Sequence, residues 1–214
     1  PLPLPSEPSF LSPRISPTGR DIVITRTTDL QNVWLMDLER ETNDPVTGGG
    51  GNQYWAVWTP DSSATIFNWL NGLELDLWIR PIDLSRQPRR LTTAAGQLNV
   101  PMDISADERT VFLGATTSLN DIIDIHVLNL DGDGVSRPIL ALDAHTVQAK
   151  LSPDGGLLAY TSDHTHRFEV CVQSYPNAGA TIRVSPNGGQ EPLWSPSGDR
   201  IYYRSVNGKQ IFAV

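Results

Sequence analysis

One short motif recurs five times along the chain, and no other feature restricts the fold so strongly. It reads Ser16-Pro17-Thr18-Gly19-Arg20, Thr59-Pro60-Asp61-Ser62-Ser63, Ser105-Ala106-Asp107-Glu108-Arg109, Ser152-Pro153-Asp154-Gly155-Gly156 and Ser195-Pro196-Ser197-Gly198-Asp199. The first residues stand at 16, 59, 105, 152 and 195, separated by 43, 46, 47 and 43. Proline presets φ for the second position of a turn, and Asp or Gly suits the tighter positions that follow. A bulky apolar residue precedes each motif: Ile15, Trp58, Ile104, Leu151 and Trp194. A β-rich run follows each one, as in Ile22-Val23-Ile24, Thr65-Ile66-Phe67 and Ile201-Tyr202-Tyr203.

A polar hairpin loop and a second alternating strand come next in every repeat, for example Val33-Trp34-Leu35-Met36 and Glu169-Val170-Cys171-Val172. Arg90-Leu91-Thr92, Pro138-Ile139-Leu140 and Ile182-Arg183-Val184 supply a fourth, outer strand. No window keeps a 3.6-residue apolar period, so the expectation is an all-β chain. A four-stranded unit with two apolar faces cannot bury both alone. Stacking such units in a ring does so, and a spacing near 45 residues is that of a propeller blade. A β-sandwich requires no such repeat.

The expected architecture is a β-propeller of five four-stranded blades in a single domain. The blades lie near 13–47, 55–92, 101–141, 148–185, and 191–214 together with 1–5. The fifth repeat stops after its third strand. Outer strands precede the next motif by 14, 12 and 11 residues, counted from Leu91, Leu140 and Val184. Counting back 12 to 14 residues from Ser16 lands on Leu2-Pro3-Leu4. This segment is placed to complete the last blade, where an edge position tolerates proline. The alternative is five blades of a larger, incomplete propeller.

These residues resemble the TolB-like β-propeller family, whose blades carry a Ser-Pro-Asp-Gly type of turn. The resemblance covers essentially the whole chain. The stretches from Phe168 to Pro176 and from Gly188 to Trp194, with the opening Pro1-Leu2-Pro3-Leu4-Pro5 and Pro13-Arg14-Ile15-Ser16-Pro17, are similar to propellers attached to bacterial serine/threonine protein kinases. Relatives usually have six or more blades, and five repeats are a departure from that pattern. The resemblance implies a non-catalytic protein-interaction or ligand-sensing module, not an enzyme. It also leans towards an extracytoplasmic location. An accessory propeller gating a separate peptidase or hydrolase domain is the alternative, and a lone propeller hydrolase or lyase is a further rival.

A net charge of −8 repels phosphate backbones and argues against nucleic acid as a partner. No apolar run reaches the roughly 18 residues of a membrane span, and no signal peptide is visible. The chain starts at Pro1, so the natural start is expected to have been trimmed. The single Cys171 excludes an internal disulfide and reads as a buried, inert thiol. No cofactor is expected.

No Gly-x-Ser-x-Gly elbow occurs, and the four histidines are scattered. Asp163-His164-Thr165-His166 and Asp131-Gly132-Asp133-Gly134 have metal-ligand residue types but read as hairpin tips, so no metal site is expected. Gly48-Gly49-Gly50-Gly51 reads as a flexible connection rather than a phosphate cradle. Two residues before each motif stand Arg14, Val57, Asp103, Lys150 and Leu193, and four before stand Ser12, Trp55, Pro101, Gln148 and Glu191. Inner strands line the axial channel of a propeller. Arg14, Asp103, Gln148, Lys150 and Glu191 are therefore candidates for binding a small polar ligand, an ion or a peptide end. A structural ion-pair network of Arg14, Asp103 and Lys150 with ordered water is the competing reading. Trp69, in the stretch Asn68-Trp69-Leu70-Asn71-Gly72, is a candidate exposed anchor for a protein partner at a rim loop.

Overall fold

The computed structural model describes residues 9–93, 96–118, 121–140, 142–177 and 179–214. The described residues form nineteen strands and no helix. Two compact units result, residues 1–101 and 102–214. Leu2-Pro3-Leu4, expected to close the last repeat, lies outside the described residues.

In the first unit, β1 (Ser9–Ile15), β2 (Asp21–Thr27), β3 (Gln31–Asp37) and β4 (Thr42–Pro45) form an antiparallel meander. The second repeat follows the same order with β5 (Asn52–Trp58), β6 (Ala64–Asn71), β7 (Glu74–Pro81) and the short β8 (Arg89–Arg90). β9 (Leu98–Ile104) runs through the boundary between the units and begins three residues ahead of the expected blade start. The Asn99 amide donates to the Leu75 carbonyl, and the Asn68 amide donates to the Asn99 carbonyl.

In the second unit, β10 (Thr110–Thr116), β11 (Asp124–Asn129) and β12 (Arg137–Leu140) continue the sheet from β9. β13 (Thr146–Leu151), β14 (Leu157–Ser162), β15 (Glu169–Ser174) and β16 (Ile182–Arg183) make a separate four-stranded sheet. β17 (Gln190–Trp194), β18 (Ile201–Arg204) and β19 (Ile211–Ala213) make a three-stranded one. No sheet closes on itself among the described residues.

The recurring motif is the hairpin between the first and second strands of each repeat. In the fourth repeat the Ser152 N–H donates to the Leu157 carbonyl at 2.8 Å, and the Ser152 hydroxyl accepts from the Leu157 N–H at 2.9 Å. That hydroxyl in turn donates to Asp154 at 2.6 Å. Ser105 with Asp107 and Thr59 with Asp61 repeat the arrangement. Gly19, Ser62, Glu108, Gly155 and Gly198 occupy the fourth position with φ between 59° and 76°. A sixth copy, absent from the sequence reading, joins β18 to β19. There Ser205 accepts from Gln210 N–H and donates to Asn207, with Gly208 at φ 71°.

Each hydrophobic cluster draws on successive repeats, as stacked sheets require. In the first unit, Val23, Val33 and Val46 of the first repeat meet Ala56, Trp58 and Phe67 of the second. In the second unit, Phe112, Ile125 and Leu140 meet Ala149, Leu158, Tyr160 and Cys171. Phe67, Phe112 and Tyr160 are fully buried. At about 1.5–3 kcal/mol for a large apolar side chain, such contacts dominate the stability of each unit.

Candidate functional site

Four inner strands share one backbone irregularity. Their registers shift between Leu11 and Arg14, Tyr54 and Val57, Val147 and Lys150, and Gln190 and Leu193. Inside each bulge one non-glycine residue is left-handed: Ser12, Trp55, Gln148 and Glu191, with φ of 52°, 53°, 58° and 58°. These are the residues four before each motif. The third repeat has Pro101 there, whose ring holds φ near −65° and forbids that conformation. Bulges re-aim side chains, and left-handed non-glycine residues persist only where surrounding contacts hold them.

For Trp55 and Glu191 the holding contacts come from the preceding repeat. Buried Thr25 of β2 accepts the Trp55 N–H at 3.3 Å. Buried Thr161 of β14 and the Gln148 side chain accept the Glu191 N–H at 3.2 and 2.9 Å. Thr161 also donates to the Gln148 side-chain oxygen at 2.8 Å. A second stitch uses tryptophan: the Trp58 indole donates to the Arg14 carbonyl at 2.9 Å, and that of Trp194 to the Lys150 carbonyl at 3.0 Å.

In the second unit, Lys150 Nζ lies 3.1 Å from an Asp103 carboxylate oxygen, with side-chain exposures of 21% and 23%. It also donates to the Met102 carbonyl at 2.8 Å, while the other Asp103 oxygen accepts the Leu151 N–H at 2.9 Å. The fourth repeat has Leu151 where the second and fifth have an indole donor, and the Asp103 carboxylate makes the inter-repeat bond instead. Glu191 pairs with Arg204 at 2.7 Å in solvent. Arg14 belongs to the first unit, is exposed, and donates to the adjacent Pro13 carbonyl at 3.2 Å. The structure thus joins Asp103 to Lys150 and Gln148 to Glu191, each through a contact between repeats.

Trp69 lies within β6 and not in a loop. Its ring packs against Trp78, centroids 4.8 Å apart, and its indole donates to the Gly50 carbonyl at 2.9 Å. Gln53 donates to the carbonyls of Gly50 and Gly51, both at 3.3 Å. The Gly50 and Gly51 end of the glycine run is thereby tied to β5 and β6. Gly51 has φ 88°, and a Cβ there would stand 2.6 Å from the Leu70 carbonyl oxygen.

The other polar motifs are engaged locally. Asp133 binds Arg137 at 2.7 Å and the Val135 N–H at 3.0 Å, and Asp163 accepts the His145 N–H at 2.8 Å. Buried Glu169 pairs with Arg167 and Arg183 at 2.8 and 3.2 Å. Its burial opposes ionisation, but bonds from Arg167 and Thr165 and the nearby arginine charges outweigh that and hold its pKa low. Cys171 is fully buried in β15, and burial pushes its thiol up to about 11.

A concave site lies in the first unit, lined by residues that the sequence reading did not name as candidates. Leu11, Thr25, Gln31, Tyr54 and Trp55 line a cleft of about 240 Å³. Trp55 is 43% exposed, and its ring stands edge-on to Tyr54 with centroids 4.8 Å apart. Burial raises the Tyr54 pKa, so its phenol stays protonated. The lining holds two aromatics, an aliphatic, an amide and a hydroxyl, with no formal charge. Its sequence signal was an indole in a row otherwise made of serine, proline, glutamine and glutamate.

No protein-family model matches the chain. An uncharacterised protein of Agrobacterium fabrum is 27% identical over 162 residues, covering 70% of this chain and 54% of that protein. TolB from Acinetobacter baumannii superposes with a TM-score of 0.78 at 18% identity, over 96% of this chain and 51% of that one. A protein of Agrobacterium tumefaciens described as a TolB gives 0.78 at 16% identity, over 96% and 80%. A prolyl endopeptidase gives 0.66 at 14%, over 97% of this chain and 35% of the enzyme. The chain spans about half the length of the curated relative it matches. At these identities the likeness is one of fold, and the chain has a TolB-like β-propeller fold.

Proposed function

We propose that the chain is a non-catalytic binding module that engages a polypeptide partner through the aromatic cleft of its first unit. The observation that carries this reading is Trp55, an exposed indole on a left-handed bulge residue, set edge-on to Tyr54 over that cleft. Exposed aromatics in a concave site are efficient interface anchors. At about 240 Å³ the cleft is smaller than the roughly 300–1,000 Å³ of small-molecule sites and suits one apolar or ring side chain of a peptide. An uncharged lining offers no cation to pair with a phosphate or carboxylate. The five repeats support reading the chain as blades of a propeller. The resemblance to kinase-attached propellers adds that a second domain of a longer, extracytoplasmic protein would read the binding event.

The test is selection of dodecapeptides from a random display library on the immobilised chain, followed by titration against Trp55→Ala. We expect at least a tenfold loss of affinity with an unchanged melting temperature and intact peptides. Affinity untouched by Trp55→Ala would overturn the assignment of the cleft, and cleavage of the peptides would overturn the non-catalytic role.

The prolyl endopeptidase likeness favours a second reading, in which the propeller gates a peptidase or hydrolase domain elsewhere in a longer protein. It predicts that adding such a domain in trans changes its selectivity for substrate length.

A further inference from the structure

The cleft between the first and second repeats holds unused hydrogen-bond donors. Trp55 is the exposed one among the six tryptophans, and its indole N–H has no acceptor among the described residues. Three other indoles show what this chain does with that donor. Those of Trp58, Trp69 and Trp194 each donate to a backbone carbonyl, at 2.9, 2.9 and 3.0 Å. The Tyr54 hydroxyl also lacks an acceptor among the described residues, and burial keeps it protonated. The Thr25 hydroxyl already accepts the Trp55 N–H and keeps its own proton to give. Gln31 is the one lining side chain with a carbonyl oxygen.

An occupant must therefore bring carbonyl oxygens and an apolar body, and it gains little from bringing N–H groups. An ordinary residue adds one N–H for every carbonyl, and a buried N–H without an acceptor is costly. Proline brings the carbonyl and a compact ring without the N–H. In the polyproline II conformation the backbone carbonyls have no internal partners and remain free to accept. The walls suit such a ring. Tyr54 and Trp55 stand at 85° with centroids 4.8 Å apart, forming a corner beside Leu11. Electron-rich aromatic faces attract the polarised C–H groups next to a proline nitrogen. Trp55 is also set in place beforehand, on a bulge at φ 53° with its N–H on buried Thr25, so little ordering is left for the binding step.

We infer that the partner is a proline-containing segment in the polyproline II conformation, an inference that rests on reading the cleft as a peptide site. One proline ring sits in the corner between Tyr54 and Trp55, and backbone carbonyls of the segment accept from the Trp55 indole and the Tyr54 hydroxyl. Aromatic-lined grooves recognise preformed proline-rich segments in this way.

The test selects two dodecapeptide display libraries on the whole chain, one with a fixed central Pro-x-x-Pro and one without proline. Enriched peptides are labelled with fluorescein and titrated by fluorescence anisotropy. Binders are expected from the first library. Alanine in place of the anchoring proline should weaken them at least tenfold, and N-methylalanine, which also lacks the N–H, should recover part of the loss. Trp55→Phe keeps a ring and removes the donor, so a loss of about five- to tenfold is expected at an unchanged melting temperature. Full affinity in Trp55→Phe/Tyr54→Phe would overturn the inference. Binders from the proline-free library alone, lost in Trp55→Ala, would overturn it and leave the cleft reading standing. No Trp55-dependent binder from either library would overturn both. Binding seen only after residues 1–8 are removed would give the cleft to the chain's own Pro1-Leu2-Pro3-Leu4-Pro5 and overturn the assignment to a partner.

Discussion

The Trp194 indole nitrogen stands 3.0 Å from the carbonyl oxygen of Lys150, across the gap between two successive repeats. Trp58 makes the same bond to Arg14, at the same sequence separation of 44. Packing alone leaves stacked sheets free to slide, whereas a directional bond from each indole fixes one sheet against the next. Phenylalanine would keep most of the apolar contact and lose the donor. Trp58→Phe should therefore destabilise the protein by about 1–2 kcal/mol, the cost of a lost bond and an unsatisfied carbonyl. Trp194, which is less buried, should cost less. Urea midpoints of both variants decide this, and equal stability to the parent would show that the indoles act by packing only.

The turn series supplies a test of backbone strain. Gly155 is at φ 76°, with nothing within 4 Å of an added Cβ, so Gly155→Ala changes the conformational cost and little else. A loss of about 1–2 kcal/mol is expected. Ser62 holds the equivalent position at φ 62° as a non-glycine residue. Ser62→Gly should gain up to about 1 kcal/mol, less the 3.3 Å bond its hydroxyl accepts from Thr18 N–H. Opposite signs for the two variants in thermal denaturation are the expected result.

Strand order and turn positions were legible because they depend on local rules: a period near 45, alternating apolar residues, and proline or glycine at fixed offsets. The bulges were not. Their left-handed residues are Ser12, Trp55, Gln148 and Glu191, which share no turn chemistry, and the contacts that hold Trp55 and Glu191 are threonines some 30 residues earlier. Trp69 was misplaced for a related reason. Its environment is set by Gly50, 19 residues away, and by Trp78 on the neighbouring strand. The row of inner-strand charges was visible, but its pairing of Asp103 with Lys150 depends on how strands 47 residues apart in sequence are stacked, which no local rule gives.

That pairing separates a structural role from a ligand site. Lys150→Met leaves the Asp103 carboxylate half-buried with the Leu151 N–H as its remaining described partner. A destabilisation of about 1–2 kcal/mol is expected, between the values for exposed and fully buried pairs. Asp103→Asn/Lys150→Met should recover part of it. Peptides selected on the parent chain should bind the double variant unchanged. A loss of binding with unchanged stability would move the ligand site to this pair.

Acid stability should depend on the turn aspartates. Hydrogen bonds from the Ser105 and Ser152 hydroxyls and from the backbone lower the pKa of Asp107 and Asp154, and those from Ser197 and Ser195 lower Asp199. Each is held below its unfolded value, so the folded state favours the ionised form. The resulting stability is fully present above the unfolded carboxylate range near about 4 and is lost as pH falls through it towards the folded values. The sixth turn is an internal control, because Asn207 fills the aspartate position, accepts from Ser205 at 2.8 Å and does not titrate. Asp107→Asn/Asp154→Asn should therefore keep both turns, yet show a smaller fall in urea midpoint between pH 6 and pH 3 than the parent. An undiminished fall would place the acid sensitivity in other carboxylates, with buried Glu169 between its two arginines the next to replace.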